Sequence, residues 1–169
     1  GSKVVQVNLN NDRGVHICKS MLAYQKWGNN EQPEDKGIKS DHFVGKFYVL
    51  YSQKVKEDPA LEKEVQEMLV KWEEGDKEVR KIWKLMNAWA YGGFEDTYEK
   101  AGIYFDKYYY ESNFYDKAKD IVMEGLQKRV FEKDEDGAVI IDFIKDKDPK
   151  IQQLGKKVVL RPDGTSIYI

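Results

Sequence analysis

Val4-Val5-Gln6-Val7-Asn8-Leu9-Asn10 leads into Asn11-Asp12-Arg13-Gly14 and then into Val15-His16-Ile17-Cys18-Lys19-Ser20-Met21-Leu22. The first part is short, apolar and β-branched, so residues 3–9 read as a buried strand. Asn and Asp side chains accept hydrogen bonds from the orphan N–H groups that open a helix, which makes Asn10-Asn11-Asp12 a turn and helix-start signal. The helix that follows reaches about Trp27. Val15, Cys18, Leu22 and Gln25 fall on one side of it, and Ile17, Met21 and Tyr24 widen the apolar face. Gly28-Asn29-Asn30 stops it.

Residues 28–40 carry Gly, Pro, Asn and acids and read as an exposed loop. A second helix spans Asp41 to Glu57. Asp58-Pro59 starts a third, with Asp at the cap and Pro at the first helical position. Leu61, Val65, Met68, Leu69 and Trp72 form its apolar stripe. A break at Gly75-Asp76 starts a fourth, in which Val79, Ile82, Trp83, Met86 and Trp89-Ala90 recur at helical spacing. Gly92-Gly93 should kink or interrupt it, and Gly102 ends it. Residues 103–110 read as a strand, expected to be the parallel partner of strand 3–9 unless a strand near the chain's end takes that place. A fifth helix covers about 114–130, with Ala118, Ile121, Val122, Leu126 and Val130 inward. Asp134-Glu135-Asp136-Gly137 is a hairpin turn between 131–133 and 138–143. Residues 145–155 are a polar loop, and 157–161 and 166–169 are strands around the turn Pro162-Asp163-Gly164. The pattern is a helix-rich α/β chain.

Thirty acids against 28 lysines and arginines leave a formal charge of −2. That argues against an autonomous, strongly basic RNA-binding module, because phosphate binding needs a concentrated cationic surface, though a local basic patch is allowed. Eleven tyrosines and four tryptophans read first as core and interface, and second as base-stacking platforms. The single cysteine, Cys18, can form no internal disulfide, which suits a reducing cytosol. No CxxC or Cys/His cluster suggests zinc, and no metal site is expected. No apolar run approaches the roughly 18 residues of a membrane span. Gly1-Ser2 reads as a tag-cleavage scar.

The opening Asn11 to Leu22 stretch and the closing Leu160-Arg161-Pro162-Asp163-Gly164-Thr165-Ser166-Ile167-Tyr168-Ile169 resemble segments of the catalytic domain of bacterial arginyl-tRNA synthetases. Between them Gly45-Lys46-Phe47-Tyr48-Val49, Asn87-Ala88-Trp89, Gly93-Phe94-Glu95-Asp96-Thr97-Tyr98 and Phe105-Asp106-Lys107-Tyr108-Tyr109-Tyr110-Glu111-Ser112 continue the match, in order and spacing. The HIGH and KMSKS-type signatures of such enzymes are absent. The resemblance therefore implies an internal fragment of a class I nucleotide-binding, Rossmann-like fold with a connective insertion. Residues 3–27 would belong to the nucleotide fold, 28–157 to the insertion and 158–169 to truncated return strands. It implies a cytoplasmic, monomeric parent enzyme whose partners are arginine, ATP (with Mg2+) and tRNA(Arg), with no membrane partner. The fragment itself is expected to be inactive, with no catalytic residue of its own and no cofactor bound.

Residue by residue, Asp163, Gly164 and Tyr168 are similar to a family pattern in which the tyrosine lines the arginine pocket and meets the 3′-terminal adenosine of tRNA. The aspartate expected four residues after that tyrosine lies past Ile169. Pro162 stands where a serine is common, which stiffens the turn without removing a contact. Glu111-Ser112 matches a Glu-Ser pair near the tRNA acceptor end. Glu111 also reads as the N-cap region of the helix at 114–130, and both readings stand. Asn11 and Asp12 form a turn and cap in any case, with Gly14 they would lie at the edge of the active site, at the carboxyl end of the first strand where open α/β sheets bind ligands. Arg13 and Lys19 face phosphate or are simply solvated. His16 and Cys18, two apart on one helix, point in different directions and make no nucleophile pair. The other class of function open to this sequence is a non-catalytic protein- or RNA-end-binding module derived from the same fold.

Overall fold

Helices α1 (Val15–Trp27), α2 (Pro33–Lys36), α3 (Ser40–Glu57), α4 (Leu61–Glu73) and α5 (Lys77–Ala101) stand between two short strands, β1 (Val7–Asn10) and β2 (Lys107–Tyr110), in the computed structural model, which describes residues 1–165. These elements form one unit, Gly1–Glu111; a second begins at Ser112. In the first unit β1 and β2 pair in parallel, Val7 opposite Lys107 and Asn10 opposite Tyr110. The expected parallel partner in residues 103–110 is thus found. Gln6 N donates to Asp106 Oδ2 at 2.7 Å, and Asp106 N donates to the Gln6 carbonyl at 2.8 Å, which fixes the register at the strands' entry.

The first strand is shorter than the apolar run and is not buried. Val4, Val5, Val7 and Leu9 are 79, 45, 51 and 63% exposed. A β-branched run buries itself only where the sheet has layers on both faces. Here β1 has a single strand neighbour among the described residues.

The core of this unit is helical. Met21, Phe43, Phe47, Tyr51, Leu69 and Trp72 are at most 1% exposed. Burying each such side chain contributes about 1.5–3 kcal/mol. Tyr24, Phe43, Phe47 and Trp89 interlock edge to face at 5.2–5.5 Å between ring centroids, so α1, α3 and α5 meet through aromatic edges. The residues 28–40 are not all loop: Gln32 and Asp35 form a reciprocal capping box around α2. α4 begins at Leu61 rather than at Pro59, and Asp58 Oδ1 accepts from Ala60 N in the turn before it. Asp76 caps α5 by accepting from Glu78 and Val79 N–H, and Gly102 closes it in the left-handed conformation.

Gly92-Gly93 does not interrupt α5, which is one helix across them. Gly93 serves packing instead. A Cβ on Gly93 would lie 2.5 Å from the Asp41 carboxylate of α3. Lys39 Nζ reaches across the gap to Asp41 Oδ2 and Thr97 Oγ1, both at 2.8 Å, and to the Gly93 carbonyl. Glycine is what allows the two helices to approach this closely.

The second unit contains α6 (Tyr115–Gln127), β3 (Glu132–Lys133), β4 (Val139–Asp142), α7 (Pro149–Gln152) and β5 (Lys156–Leu160), with antiparallel order β3-β4-β5. The hairpin turn is where the sequence puts it: Asp134 Oδ1 accepts from the N–H groups of Asp136 and Ala138, and Gly137 takes φ 86°. α6 turns a different face inward than its periodicity suggests. Val122 and Leu126 join Val139, Val159, Leu160 and Phe131, whereas Ala118, Ile121 and Val130 are exposed. Gly125 is the reason: its bare Cα seats the Phe131 ring where a Cβ would lie 2.3 Å away. The polar segment 145–155 holds α7, capped by Asp148 on Lys150 N. At the closing turn Asp163 Oδ1 accepts from both N and Oγ1 of Thr165, at 2.9 and 2.7 Å, and Gly164 takes φ 79°.

Candidate functional site at the strand ends

β1 and β2 end side by side, so the residues that follow them, Asn11 to Gly14 and Glu111, converge at the carboxyl end of a parallel pair. The sequence brings Asp12 and Arg13 there with 3% exposure each. α5 holds them with one stripe of residues four apart. Trp83 Nε1 donates to the Asp12 carbonyl at 2.6 Å, and Asn87 Nδ2 donates to the same oxygen at 3.4 Å. One turn further on comes Tyr91, near enough to Asp12 to feel its charge. Burial, then the Asp12 carboxylate, push its phenol far above the ordinary range. The Tyr91 ring lies 5.3 Å from that of Tyr110, the last residue of β2.

Arg13 is neither solvated nor turned outward to an anion. Its Nη2 pairs with Glu73 at the end of α4, and its Nη1 lies 3.6 Å from Glu111 Oε1. Its guanidinium sits 5.6 Å from the Trp72 ring. With its amide turned so that nitrogen faces the acceptors, Asn11 Nδ2 donates to Glu111 Oε2 at 2.6 Å and to the Arg13 carbonyl at 3.0 Å. Two carboxylates, Glu73 and Glu111, therefore share one guanidinium. Burial raises the Glu111 carboxyl above its ordinary range; Arg13 opposes that and Asp12 adds to it.

These contacts decide between the two readings of Glu111 as far as capping goes. α6 starts at Tyr115 with Phe114 at its cap position and no side-chain cap, while Glu111 opens a separate 3-10 turn and turns back to Arg13 and Asn11. Nor do Asn11 and Asp12 cap α1. Its cap is Gly14, at φ 115° and ψ 177°, with no side-chain hydrogen bond. That backbone conformation is open to glycine alone. The carbonyl of Gly14 accepts from Ile17 and Cys18 N at 3.1 Å.

Cys18 is 2% exposed, and burial pushes its thiol up to about 12, so it is a neutral core side chain. His16 is exposed, with its pKa lowered by partial burial and then by the nearby cations Lys19 and Arg13. Lys19 Nζ lies 5.6 Å from the Tyr51 ring. Tyr168 lies outside the described residues. Among the described residues no group of three or more His, Cys, Asp or Glu is placed to hold a metal ion, and no helix is long and apolar enough to cross a membrane.

The family model described as tRNA synthetases class I (R), catalytic domain, matches residues 1–169. This chain belongs to the catalytic-domain family of the class I arginyl-tRNA synthetases. Curated relatives agree with the family model. An arginine–tRNA ligase of Parabacteroides distasonis is 50% identical across all of this chain and 30% of its own length. Those of Bacteroides thetaiotaomicron and Borrelia garinii subsp. bavariensis are 48% identical, over 30 and 29% of their lengths. A solved Campylobacter jejuni chain aligns with 96% of this chain and 33% of its own, at 16% identity and a TM-score of 0.49. The chain spans about 30% of the length of the curated relatives it matches.

In this arginyl-tRNA synthetase domain, sequence reasoning missed Glu73, Trp83, Asn87 and Tyr91 as parts of the strand-end cluster. Trp83, Asn87 and Tyr91 did carry a signal, since residues four apart share a helix face. Glu73 carried none. It is one acid among several near the end of an amphipathic helix.

Proposed function

We propose that this chain supplies the strand-end wall of the active site in an arginine–tRNA ligase, which activates arginine with ATP and transfers it to tRNA(Arg). The observation that carries this reading is the cluster of Asn11, Glu111 and the buried Asp12 and Arg13 at the carboxyl end of two parallel strands, the position at which open α/β folds bind their ligands. In the proposed assignment Glu111 faces the acceptor end of tRNA, Asn11, Asp12 and Gly14 form the edge of the site, and Tyr168 lines the arginine pocket.

The residues present fit an ATP phosphate at the start of α1. No side chain caps that helix, and Gly14 adds no Cβ beside its first N–H groups. A helix N-terminus of this kind favours an anion. Lys19, one of the cations that lower the His16 pKa, adds positive potential there. When bound, ATP would supply an α-phosphate for attack by the arginine carboxylate. The residues of this chain would orient and shield, since Arg13 is already neutralised by Glu73 and Glu111.

The test is arginine-dependent ATP–pyrophosphate exchange by the full-length protein that contains this chain, with tRNA(Arg) present. Exchange is expected, and Glu111→Gln should lower kcat/KM for tRNA at least tenfold. Exchange stimulated by another amino acid, or none by arginine, overturns the reading. The 169-residue chain alone is expected to give no turnover.

A further inference from the structure

Lys77, Lys81 and Lys84 follow one another along one face of α5, and with Arg80 they line a groove of about 360 Å3 beside the α4–α5 turn. No acid lines it. Of the nearby acids, Glu73 pairs with Arg13 and Asp76 caps α5, while Glu78 lies in the adjoining groove. Among the described residues none of the three lysines has a carboxylate within ion-pair distance, whereas Lys26, Lys39, Lys54 and Lys145 each have one. Arg80 is held in place, its Nε donating to the Trp72 carbonyl at 2.7 Å and its guanidinium stacked 3.5 Å from the centre of the Trp72 ring. The net charge of −2 conceals this patch.

A second groove, of about 440 Å3, shares Lys81 with the first. It has a different chemistry. Gln25, Asn29 and Asn30 bring amides to it, Ile82 and Leu85 give it an apolar side, and Glu78 is its one acid. Asn29 and Asn30 both sit at positive φ, 49° and 58°, in the tight turn after α1, which fixes where their side chains start. Both are open to solvent, as a surface that takes an extended strand must be.

We propose that the two grooves are one binding surface for an RNA strand, distinct from the strand-end site. Lys77, Lys81 and Lys84 meet successive phosphates, and Asn29 and Asn30 meet a base edge beside Leu85. A row of cations alone would suit any polyanion. The adjoining amides and apolar wall are what an unpaired base requires, because its edges need donors and acceptors and its face needs a flat apolar neighbour. The choice of RNA as the polyanion rests on the function proposed above.

The test is fluorescence anisotropy with an end-labelled tRNA(Arg) transcript, titrated with this chain across a range of salt concentrations. Each phosphate contact contributes about 0.7–0.9 to the slope of log affinity against log salt. The triple substitution Lys77→Gln, Lys81→Gln, Lys84→Gln should therefore lower the slope by about two and weaken binding at least tenfold at low salt. Asn29→Gly with Asn30→Gly keeps the backbone, since glycine takes positive φ freely, and should weaken binding severalfold with no change of slope. All five positions are exposed, so the fold is expected to survive, and circular dichroism checks it.

An unchanged slope in the lysine variant overturns the proposal. So does heparin or polyglutamate binding as tightly as RNA with the asparagine variant neutral, which would make the surface a general anion patch or a site for an acidic protein. The failures separate cleanly. If the chain binds the transcript as described and the full-length enzyme does not charge it, the functional reading falls. If the enzyme charges tRNA with a KM that the lysine substitutions leave unmoved, this surface falls and the functional reading stands.

Discussion

Arg13 and Glu73 meet across 60 residues of sequence as an ion pair with both side chains withdrawn from water, 2 and 8% exposed. Removing one partner of such a pair leaves a charge buried without compensation, a loss of about 3–5 kcal/mol. Glu73→Ala and Arg13→Ala are each expected to destabilise the chain by that amount in urea unfolding. Replacing both together with apolar residues, Arg13→Met with Glu73→Leu, should recover most of it. A double variant as unstable as the sum of the singles would show that the two side chains act independently, with no coupling between them.

Gly92 and Gly93 are adjacent in one helix yet should answer the same substitution in opposite senses. A Cβ on Gly92 meets only Ser40 Oγ at 3.7 Å, whereas one on Gly93 meets Asp41 at 2.5 Å. Gly92→Ala gains helix propensity and is expected to stabilise by up to about 1 kcal/mol. Gly93→Ala forces α3 and α5 apart, and overpacking of this kind costs about 1–3 kcal/mol. Thermal melts of the two variants, run in parallel, decide it.

Glu111 gives the stability of the chain a pH dependence of known sign. Its carboxyl is raised in the folded state, so the folded chain holds that proton more tightly than the unfolded chain does. The contribution is greatest below the ordinary carboxyl value near 4.5 and is lost as pH rises through the raised value. Relative to Glu111→Gln, which cannot titrate, the parent should lose stability across that interval and run parallel above it. Urea midpoints measured from pH 4 to pH 7 test this; a parent that gains on the variant as pH rises would show that Arg13 outweighs burial.

Tyr168 is the strongest residue-level expectation from the sequence and awaits kinetics in the full-length enzyme. Base stacking on an aromatic ring is worth roughly 1–3 kcal/mol. If the ring stacks, Tyr168→Phe should keep most of kcat/KM, and Tyr168→Ala should lose on the order of 10- to 100-fold. If the hydroxyl holds the substrate, Phe should be nearly as impaired as Ala. A large drop in melting temperature with both KM values unchanged would make Tyr168 a packing residue only.

What was legible in the chain was what local chemistry dictates. Asp76 and Gly102 bound α5, Asp134-Glu135-Asp136-Gly137 turned the hairpin, and the apolar stripe from Leu61 to Trp72 went inward. These depend on a residue's own backbone or on its helix neighbours. What was not legible depended on a partner far away. Asn11 and Asp12 have good capping side chains, but Glu111 engages Asn11 from beyond β2, Trp83 and Asn87 hold the Asp12 carbonyl from α5, and Gly14 takes the cap position. Gly92-Gly93 looked like a break because glycine lowers helix propensity, yet the approach of α3 at Gly93 decides its use. Ile121 and Val130 fit an apolar stripe, but Gly125 turns α6 by offering Phe131 a place to sit.

The parallel pairing of β1 with β2 joins residues 100 positions apart, with the whole helical body as the loop between them. Closing a loop of that length is entropically costly, and contacts of such long range tend to form late. The helices α1, α3, α4 and α5 hold their own aromatic core and can assemble before the strands meet. The contacts of Arg13 and Asn11 with Glu111 require β2 to dock, so this part of the strand-end site is expected to complete late in folding. In amide exchange, β1 and β2 should accordingly open at lower free energy than α3 and α4, and a ligand that bridges the strand ends would slow the exchange of both strands at once.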